Sequence, residues 1–324
     1  MWLGVRVLRG QLRKHETEEE MKLERRDLSS YYSITLNKEQ CNGCGVCAEI
    51  CPKEAIEENP AIIENGVLAK KPTITFDVDK CILCGECVVL CPLNALTMKI
   101  DGKEISTIVK NKAFPSLLKE IKVAKETVAE YNYDSLNDSL SRTEYTQLSN
   151  CRPECEMVCE KECPLDAIQV SIQRSEDDQI EKVVDVTVSE SKCIYCKRCE
   201  IACPFSAIEV RKPFQGTLEL MVNLCPEDCT ACQDICPAQA IKREDGKLVV
   251  YPQFCVYCSA CQKICPGKAI IVQRDRVFHT KITAAAWLTA LKKLATYEGF
   301  FKEVMVKAGQ RRVNVVEKRR KHIL

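Results

Sequence analysis

Apolar residues recur along this chain in short β-rich runs rather than in long helical stripes. Ser33-Ile-Thr-Leu36, Thr73-Ile-Thr-Phe76, Val183-Val-Asp-Val-Thr-Val188, Leu218-Glu-Leu-Met-Val222 and Leu248-Val-Val-Tyr251 read as strands. Such runs lead into loops dense in cysteine. Each loop closes on a version of Cys-Pro-x-x-Ala-Ile and runs into a second strand-like stretch. The closings are Cys51-Pro-Lys-Glu-Ala-Ile56, Cys91-Pro-Leu-Asn-Ala-Leu96, Cys163-Pro-Leu-Asp-Ala-Ile168, Cys203-Pro-Phe-Ser-Ala-Ile208, Cys236-Pro-Ala-Gln-Ala-Ile241 and Cys265-Pro-Gly-Lys-Ala-Ile270. The unit is therefore strand, cysteine loop, one or two helical turns, strand, and it occurs six times.

Three stretches lie outside the repeat. Residues 1–30 are highly charged, with Glu18-Glu19-Glu20 followed by Lys22, Glu24, Arg25 and Arg26, and read as a solvated or frayed helix. Between the second and third units, Ser116 can cap a helix after Pro115, with Leu117, Ile121, Ala124, Val128 and Tyr131 at helical spacing. Residues 132–150 are polar and read as loop. After the sixth unit, Thr283 to Lys307 reads as a helix with Trp287, Leu291, Leu294, Phe301 and Met305 on its apolar face. The tail from Arg311-Arg312 through Lys318-Arg-Arg-Lys321 is basic and reads as a solvated end rather than a nucleic-acid contact.

The chain holds 24 cysteines, and six quartets use all of them. Four units keep the strict C-x2-C-x2-C-x3-C-P spacing of bacterial-type iron–sulfur loops. The fifth widens its first gap (Cys225, Cys229, Cys232, Cys236) and the third widens two (Cys151, Cys155, Cys159, Cys163). The third could instead be one cysteine face of a helix, but Pro153 and the intact Cys-Pro closing argue against that. Tight quartets in a long chain do not suit a disulfide scaffold. Arg6 and Arg9 interrupt any signal-peptide core, and no apolar run is long enough to cross a bilayer. A reducing, cytoplasmic setting is expected, where clustered thiols hold metal.

Spacing decides how the units pair. Cys51 to Cys81 and Cys163 to Cys193 are each 30 positions, Cys236 to Cys255 is 19, and Cys91 to Cys151 is 60. Consecutive pairing follows: one with two, three with four, five with six. The 22 positions from Cys203 to Cys225 leave open a four–five pair nested between units three and six. In such loops the fourth cysteine serves the other cluster of the pair. Under that rule one 4Fe–4S cluster takes Cys41, Cys44, Cys47 and Cys91, and its neighbour takes Cys81, Cys84, Cys87 and Cys51. Cys151, Cys155, Cys159 and Cys203 pair with Cys193, Cys196, Cys199 and Cys163. Cys225, Cys229, Cys232 and Cys265 pair with Cys255, Cys258, Cys261 and Cys236. Glycine suits the loops where positive φ is needed, as at Gly43, Gly45 and Gly85.

The formal charge of +1 counts every thiol as neutral. Six oxidised clusters with their thiolates would add about −12, taking the loaded chain to roughly −11. Zinc is the main alternative, but zinc ribbons lack the tight third cysteine and the Cys-Pro closing. His15, His279 and His322 lie far apart outside the quartets, and no phosphate loop, Rossmann fingerprint or catalytic triad is present. The chain reads as an electron conductor without a catalytic site of its own.

The six-fold phrase resembles the archaeal polyferredoxins across residues 31 to about 272. Two stretches are similar to the polyferredoxin subunit of formylmethanofuran dehydrogenase. They are Asn59-Pro through Lys71-Pro-Thr-Ile-Thr-Phe-Asp-Val-Asp-Lys-Cys81 and on to Gly102, and His279-Thr-Lys-Ile-Thr-Ala-Ala-Ala-Trp287. The resemblance implies electron delivery between catalytic subunits of that enzyme and a heterodisulfide reductase or hydrogenase partner; from the residues themselves, no nucleic acid partner and no membrane span are expected. Fewer quartets than some family members, and the altered third and fifth units, leave a polyferredoxin serving a hydrogenase or heterodisulfide reductase alone as the alternative. The expected fold class is α+β, with three tandem bacterial-type two-cluster ferredoxin modules, a helical linker and a C-terminal helix. The expected segments are a charged extension (1–30), module 1 (31–110), helical linker and loop (111–150), module 2 (151–212), module 3 (213–276), and C-terminal helix with basic tail (277–324).

Charged Arg152, Glu154 and Glu156 flank the third loop, whereas Ile82, Leu83, Ile194, Tyr195, Val256 and Tyr257 sit in others. Apolar surroundings disfavour added negative charge. An EPR-monitored redox titration should therefore resolve a distinct potential for the cluster held by Cys151, Cys155 and Cys159. A single common potential would contradict this.

Overall fold

The structure is a computed structural model that describes residues 10–105, 116–134, 139–280 and 294–295. Along the chain, β1 (Arg13–Glu16), β2 (Glu20–Arg26) and β3 (Tyr31–Asn37) precede a short helix α1 (Val46–Ile50). Strands β4 (Ile56–Asn59), β5 (Ile62–Glu64), β6 (Val67–Lys70) and β7 (Thr73–Phe76) lead to α2 (Glu86–Val89), β8 (Leu96–Ile100) and β9 (Lys103–Glu104). Then come β10 (Glu120–Val123), β11 (Lys125–Asp134), β12 (Ser139–Leu148), α3 (Val158–Lys161), β13 (Ile168–Arg174), β14 (Ile180–Val188), α4 (Arg198–Ala202) and β15 (Ile208–Arg211). The last described elements are β16 (Phe214–Leu220), α5 (Ala231–Asp234), β17 (Ile241–Glu244), β18 (Lys247–Val250), α6 (Ala260–Ile264) and β19 (Ile270–Val277).

One pairing scheme recurs three times. An outer antiparallel pair joins the opening strand to the strand after the second closing: β3 with β8, β10 with β15, β16 with β19. An inner pair joins the two strands between the loops: β4 with β7, β13 with β14, β17 with β18. The helices following the loops also pack in pairs, α1 on α2, α3 on α4 and α5 on α6. Consecutive repeats are thus partners, and the nested four–five arrangement is not the one adopted.

Each closing does the same mechanical work. Its alanine is buried at every copy, at Ala55, Ala95, Ala167, Ala207, Ala240 and Ala269. The carbonyl of each alanine accepts an N–H from the end of the partner strand: from Asp77, Asn37, Ser189, Ala124, Tyr251 and Met221, at 2.7–2.8 Å. The residue just before the alanine is left-handed in all six copies: Glu54, Asn94, Asp166, Ser206, Gln239 and Lys268. This kink turns the chain from the last cysteine into the strand.

The chain divides into two compact units. Unit 1 comprises Met1–Leu117, Phe214–Ile235 and Tyr257–Leu324, and unit 2 comprises Leu118–Pro213 and Cys236–Val256. Unit 1 contains a five-stranded sheet in the order β1-β2-β3-β8-β9. Met21 faces Leu36 and Leu23 faces Ile34, while Ile34 and Leu36 face Met98 and Leu96 on the other side. All six are buried on one face. In unit 2 the core gathers Ile168, Val183, Val186, Tyr195, Ile208 and Val210, with Ile121 and Val123 packed against it.

Three expectations are corrected. Part of the charged 1–30 segment is not a frayed helix: β1 and β2 extend the first module's sheet, because Met21 and Leu23 alternate with Lys22 and Glu24 and bury one edge. The helix expected from Ser116 is strand instead. Ile121 and Val123 alternate with Glu120 and Lys122, and this run supplies the opening strand of the second module. The hairpin β11–β12 is inserted after it, in place of the loop expected over 132–150, and Ser149 N–H bonds back to the Ala124 carbonyl at 3.1 Å. The strand that pairs with Ile208–Arg211 thus lies within the expected linker, upstream of Cys151, which accounts for the 60-position gap from Cys91 to Cys151. Of the expected C-terminal helix only Leu294 and Ala295 are described, both helical, with Leu294 buried. The rest, and the basic tail, lie outside the described residues.

A β-branched residue in a left-handed closing should be costly. Asn94→Val should lower stability by about 1–2 kcal/mol, read as a lower midpoint in anaerobic denaturant unfolding, while Asn94→Gly should match or exceed the parent.

Candidate metal centres

The strict loops share one backbone trick. Positive φ recurs at the residue before the second cysteine (Gly43, Leu83, Tyr195, Tyr257) and again just after it (Gly45, Gly85, Lys197, Ser259). Glycine is thus used in some copies only, and ordinary residues hold the same conformation elsewhere. At Gly43 it is required on a second ground: a Cβ would come within 2.6 Å of the Pro72 side chain. The third loop reaches its curvature differently, through a 3-10 turn at Pro153–Cys155 and consecutive left-handed residues Glu156 and Met157. Those breaks exclude a continuous cysteine-faced helix there.

The loops turn their thiols inward and mix them across each pair. Cys41, Cys44, Cys47 and Cys91 line one cavity together with Leu36, Ile74 and Leu96. Cys81, Cys84, Cys87 and Cys51 line a second, walled by Ile34, Ile56 and Phe76. In unit 2, Cys193, Cys196, Cys199 and Cys163 line a third with Ile168, Ile194 and Val210. In each cavity the fourth cysteine comes from the other loop. Cys151, Cys155, Cys159 and Cys203 also approach one another: burial first, then the other three thiols, push Cys159 up to about 11. Cys225, Cys229 and Cys265 likewise add to the burial that pushes Cys232 up to about 12. Of the remaining set, Cys258 and Cys261 belong to unit 1, and Cys236 and Cys255 to unit 2.

Donor chemistry and spacing together test which metal group these residues fit. Among the described residues, no three His, Cys, Asp or Glu side chains converge as a single ion requires. Thiols ringed around a cavity suit a polynuclear cluster better than one tetrahedral zinc. Burial raises the thiols of Cys44, Cys47 and Cys87 well above the ordinary range. The bare thiols are therefore neutral near pH 7, and binding iron exchanges their protons for metal.

Backbone N–H groups are also directed at the sulfurs. Ala55, Ala167, Ala207, Ala240 and Ala269 donate to Cys51, Cys163, Cys203, Cys236 and Cys265 Sγ at 3.2–3.3 Å. Within the loops, N–H groups of Gly43, Leu83 and Tyr195 lower Cys41, Cys81 and Cys193 against the larger effect of burial. The surroundings are not uniformly apolar. Leu83 is buried, but Ile82 stands exposed beside it.

Sequence reasoning passed over three polar residues. Arg198, in the fourth loop, is buried and donates to the Ala238 and Gln239 carbonyls at 2.9 Å, pairs with Glu162 at 3.2 Å and stacks over Phe254. Lys212 donates to the Gln253 and Cys255 carbonyls, and burial pushes it down to about 8 although the nearby Cys255 and Cys196 thiols oppose this. Asn42 is buried in the first loop at a position that holds Ile82, Ile194 and Val256 in other loops. A polar residue at an otherwise aliphatic place was the available signal.

The mixed cysteine sets make a direct prediction. The double variant Cys41→Ser/Cys91→Ser should damage one cluster, and Cys81→Ser/Cys91→Ser should damage two. Iron analysis and quantitative EPR on anaerobic protein distinguish these, and the reverse pattern would mean that each loop keeps its own fourth cysteine.

Known proteins share these features. A 4Fe-4S dicluster domain model matches residues 37–103, and a 4Fe-4S binding domain model matches residues 186–209. UacF of Escherichia coli (strain K12), which bears a provisional oxidoreductase name, is 40% identical over 65 residues, 19% of this chain and 10% of that protein. YsaA of the same organism, which bears a provisional electron-transport name, is 32% identical over 89 residues, 27% of this chain and 50% of that protein. The chain thus spans half or less of the length of these curated relatives. A solved chain in the formate dehydrogenase–heterodisulfide reductase–formylmethanofuran dehydrogenase complex from Methanospirillum hungatei matches with a TM-score of 0.67 and 28% identity. That match covers 89% of this chain and 92% of the other. With ferredoxin domain matches at two places and a structural neighbour along nearly its whole length, the chain is a polyferredoxin-like 4Fe–4S protein.

Proposed function

We propose that the chain is an electron-transfer subunit relaying single electrons through six 4Fe–4S clusters in three tandem two-cluster modules. Its partners in this reading are the catalytic subunits of a formylmethanofuran dehydrogenase, in a reducing cytoplasmic setting. The observation that carries the reading is the crosswise cysteine set, three thiols from one loop and one from its partner around each of three cavities.

When bound, a 4Fe–4S cluster supplies a one-electron store. The chain's own residues hold it by four thiolates, direct backbone N–H groups at the sulfurs and line the cavity with aliphatic side chains that limit water. N–H groups on sulfur favour added negative charge and aliphatic walls oppose it, so the local balance sets each potential. The crossing of the fourth cysteine also ties paired loops together, so metal loading and folding stabilise one another.

The choice of partner rests on the likeness to the complex from Methanospirillum hungatei and on the stretches around 59–102 and 279–287. That complex also contains heterodisulfide reductase, which favours a second reading in which electrons pass to such a partner. Anaerobic protein should carry about 24 iron per chain and bleach reversibly on reduction. Zinc without colour would overturn the reading. Affinity purification from native cells should retain the formylmethanofuran dehydrogenase catalytic subunits. Recovery with only a hydrogenase or heterodisulfide reductase would reassign the partner.

A further inference from the structure

We infer that the Asn42 side-chain amide sets the reduction potential of the cluster bound through Cys258, at a junction where the first and sixth cysteine loops meet. The inference rests on the reading of Cys258 as a cluster ligand. Asn42 belongs to the first loop, between Cys41 and Gly43, yet its Nδ2 donates to Cys258 Sγ at 3.5 Å across 216 positions of sequence. It is 1% exposed, and Cys258 is buried as well. Its Oδ1 has no hydrogen-bond partner among the described residues. A buried amide with an unpartnered oxygen is costly, and the bond to Cys258 is what its nitrogen gains in return.

The surroundings hold this amide in place. Glu49 on α1 pairs with Arg274 on β19 at 3.1 Å, and Arg274 also donates to the Tyr257 carbonyl at 3.1 Å. Lys263 on α6 reaches Glu58 at 2.9 Å and Glu49 at 3.7 Å. The junction is also tight. A Cβ on Gly45 would fall 1.9 Å from the Lys263 ammonium nitrogen. The first and sixth loops are thus fixed neighbours, although four units lie between them in sequence order.

The direction of the effect follows from charge. A ligand sulfur carries negative charge, which grows when the cluster is reduced. An N–H donated to that sulfur is stronger in the reduced state and so raises the potential. The matching positions of the other strict loops, Ile82, Ile194 and Val256, have no such donor. Asn42 is a positioning residue that acts on a cluster other than the one its own loop holds.

The test is an EPR-monitored redox titration of the full, anaerobically loaded chain. Asn42→Leu keeps the volume and removes the donor, and Asn42→Asp keeps the shape and adds an acceptor. Each should move one cluster's share of the spin to more negative potential, by roughly a tenfold change in its reduction equilibrium, ~59 mV for a one-electron couple. Asn42→Gln, which keeps the donor, should retain much of the parental potential, and Asn59→Leu, an exposed amide eight residues beyond the nearest cysteine, should leave the curve unchanged. Full iron content with parental curves in both the Leu and the Asp variants would overturn the inference. So would iron loss from both, because Asn42 would then be needed to build the site rather than to tune it. Parent protein without iron–sulfur signals would instead overturn the proposed function.

Discussion

The arrangement depends on what one alanine does in each closing. In five of the six closings its N–H is aimed at the sulfur of the cysteine four residues earlier, and in all six its carbonyl accepts the N–H at the end of the partner strand. One peptide unit on either side of that Cα therefore joins a candidate ligand to a sheet. The left-handed residue before it makes the turn possible, and burial of the small side chain lets helix and strand approach. A larger residue there would push the sheet away from the thiol. This coupling explains how modest two-stranded pairs can hold cysteine loops in place.

The same scheme explains how the second module carries an insertion without losing its geometry. Ala124 stands where Asn37 and Met221 stand in the others, accepting the register of the outer strand pair by donating to a closing alanine. Its own carbonyl then receives Ser149 N–H, so the inserted hairpin leaves and returns at nearly one point. A long hairpin added between closely spaced ends adds little loop-closure cost to the module. Its second strand ends on Leu148, which packs against the same core as Ile121 and Val123.

Electrostatics divides the thiol sites into kinds. Three are walled by aliphatic side chains, which disfavour added negative charge. In unit 2, buried Arg198 and half-buried Lys212 bring positive charge close to Cys196, and both lower its thiol against the stronger effect of burial. In unit 1 an amide, rather than a cation, touches Cys258. A neutral donor acts on one sulfur at short range, whereas a cation acts on a whole neighbourhood. The third loop, open and flanked by exposed acids such as Glu156, is a further kind.

Cysteine spacing and the closing phrase were enough to determine the repeat, its six copies and the strands flanking most loops, and they favoured the pairing of neighbouring units, which the strand pairs then decided. These are local properties, set by chemistry within a dozen residues. The crosswise grouping around the cavities could be expected from the loop type, but only the fold brings Cys91 beside Cys41 and Cys163 beside Cys193. The opening strand of the second module was hidden because Leu117, Ile121 and Ala124 also fit a helical period, and short apolar runs do not separate the two periods. Only its pairing with Ile208–Arg211 decided between them. Met21 and Leu23 were masked by the charges around them in the same way, until Ile34 and Leu36 supplied a partner. Asn42 shows the limit most plainly. Its neighbours in sequence say that it lies in a cysteine loop, but only long-range packing places Cys258 against its amide.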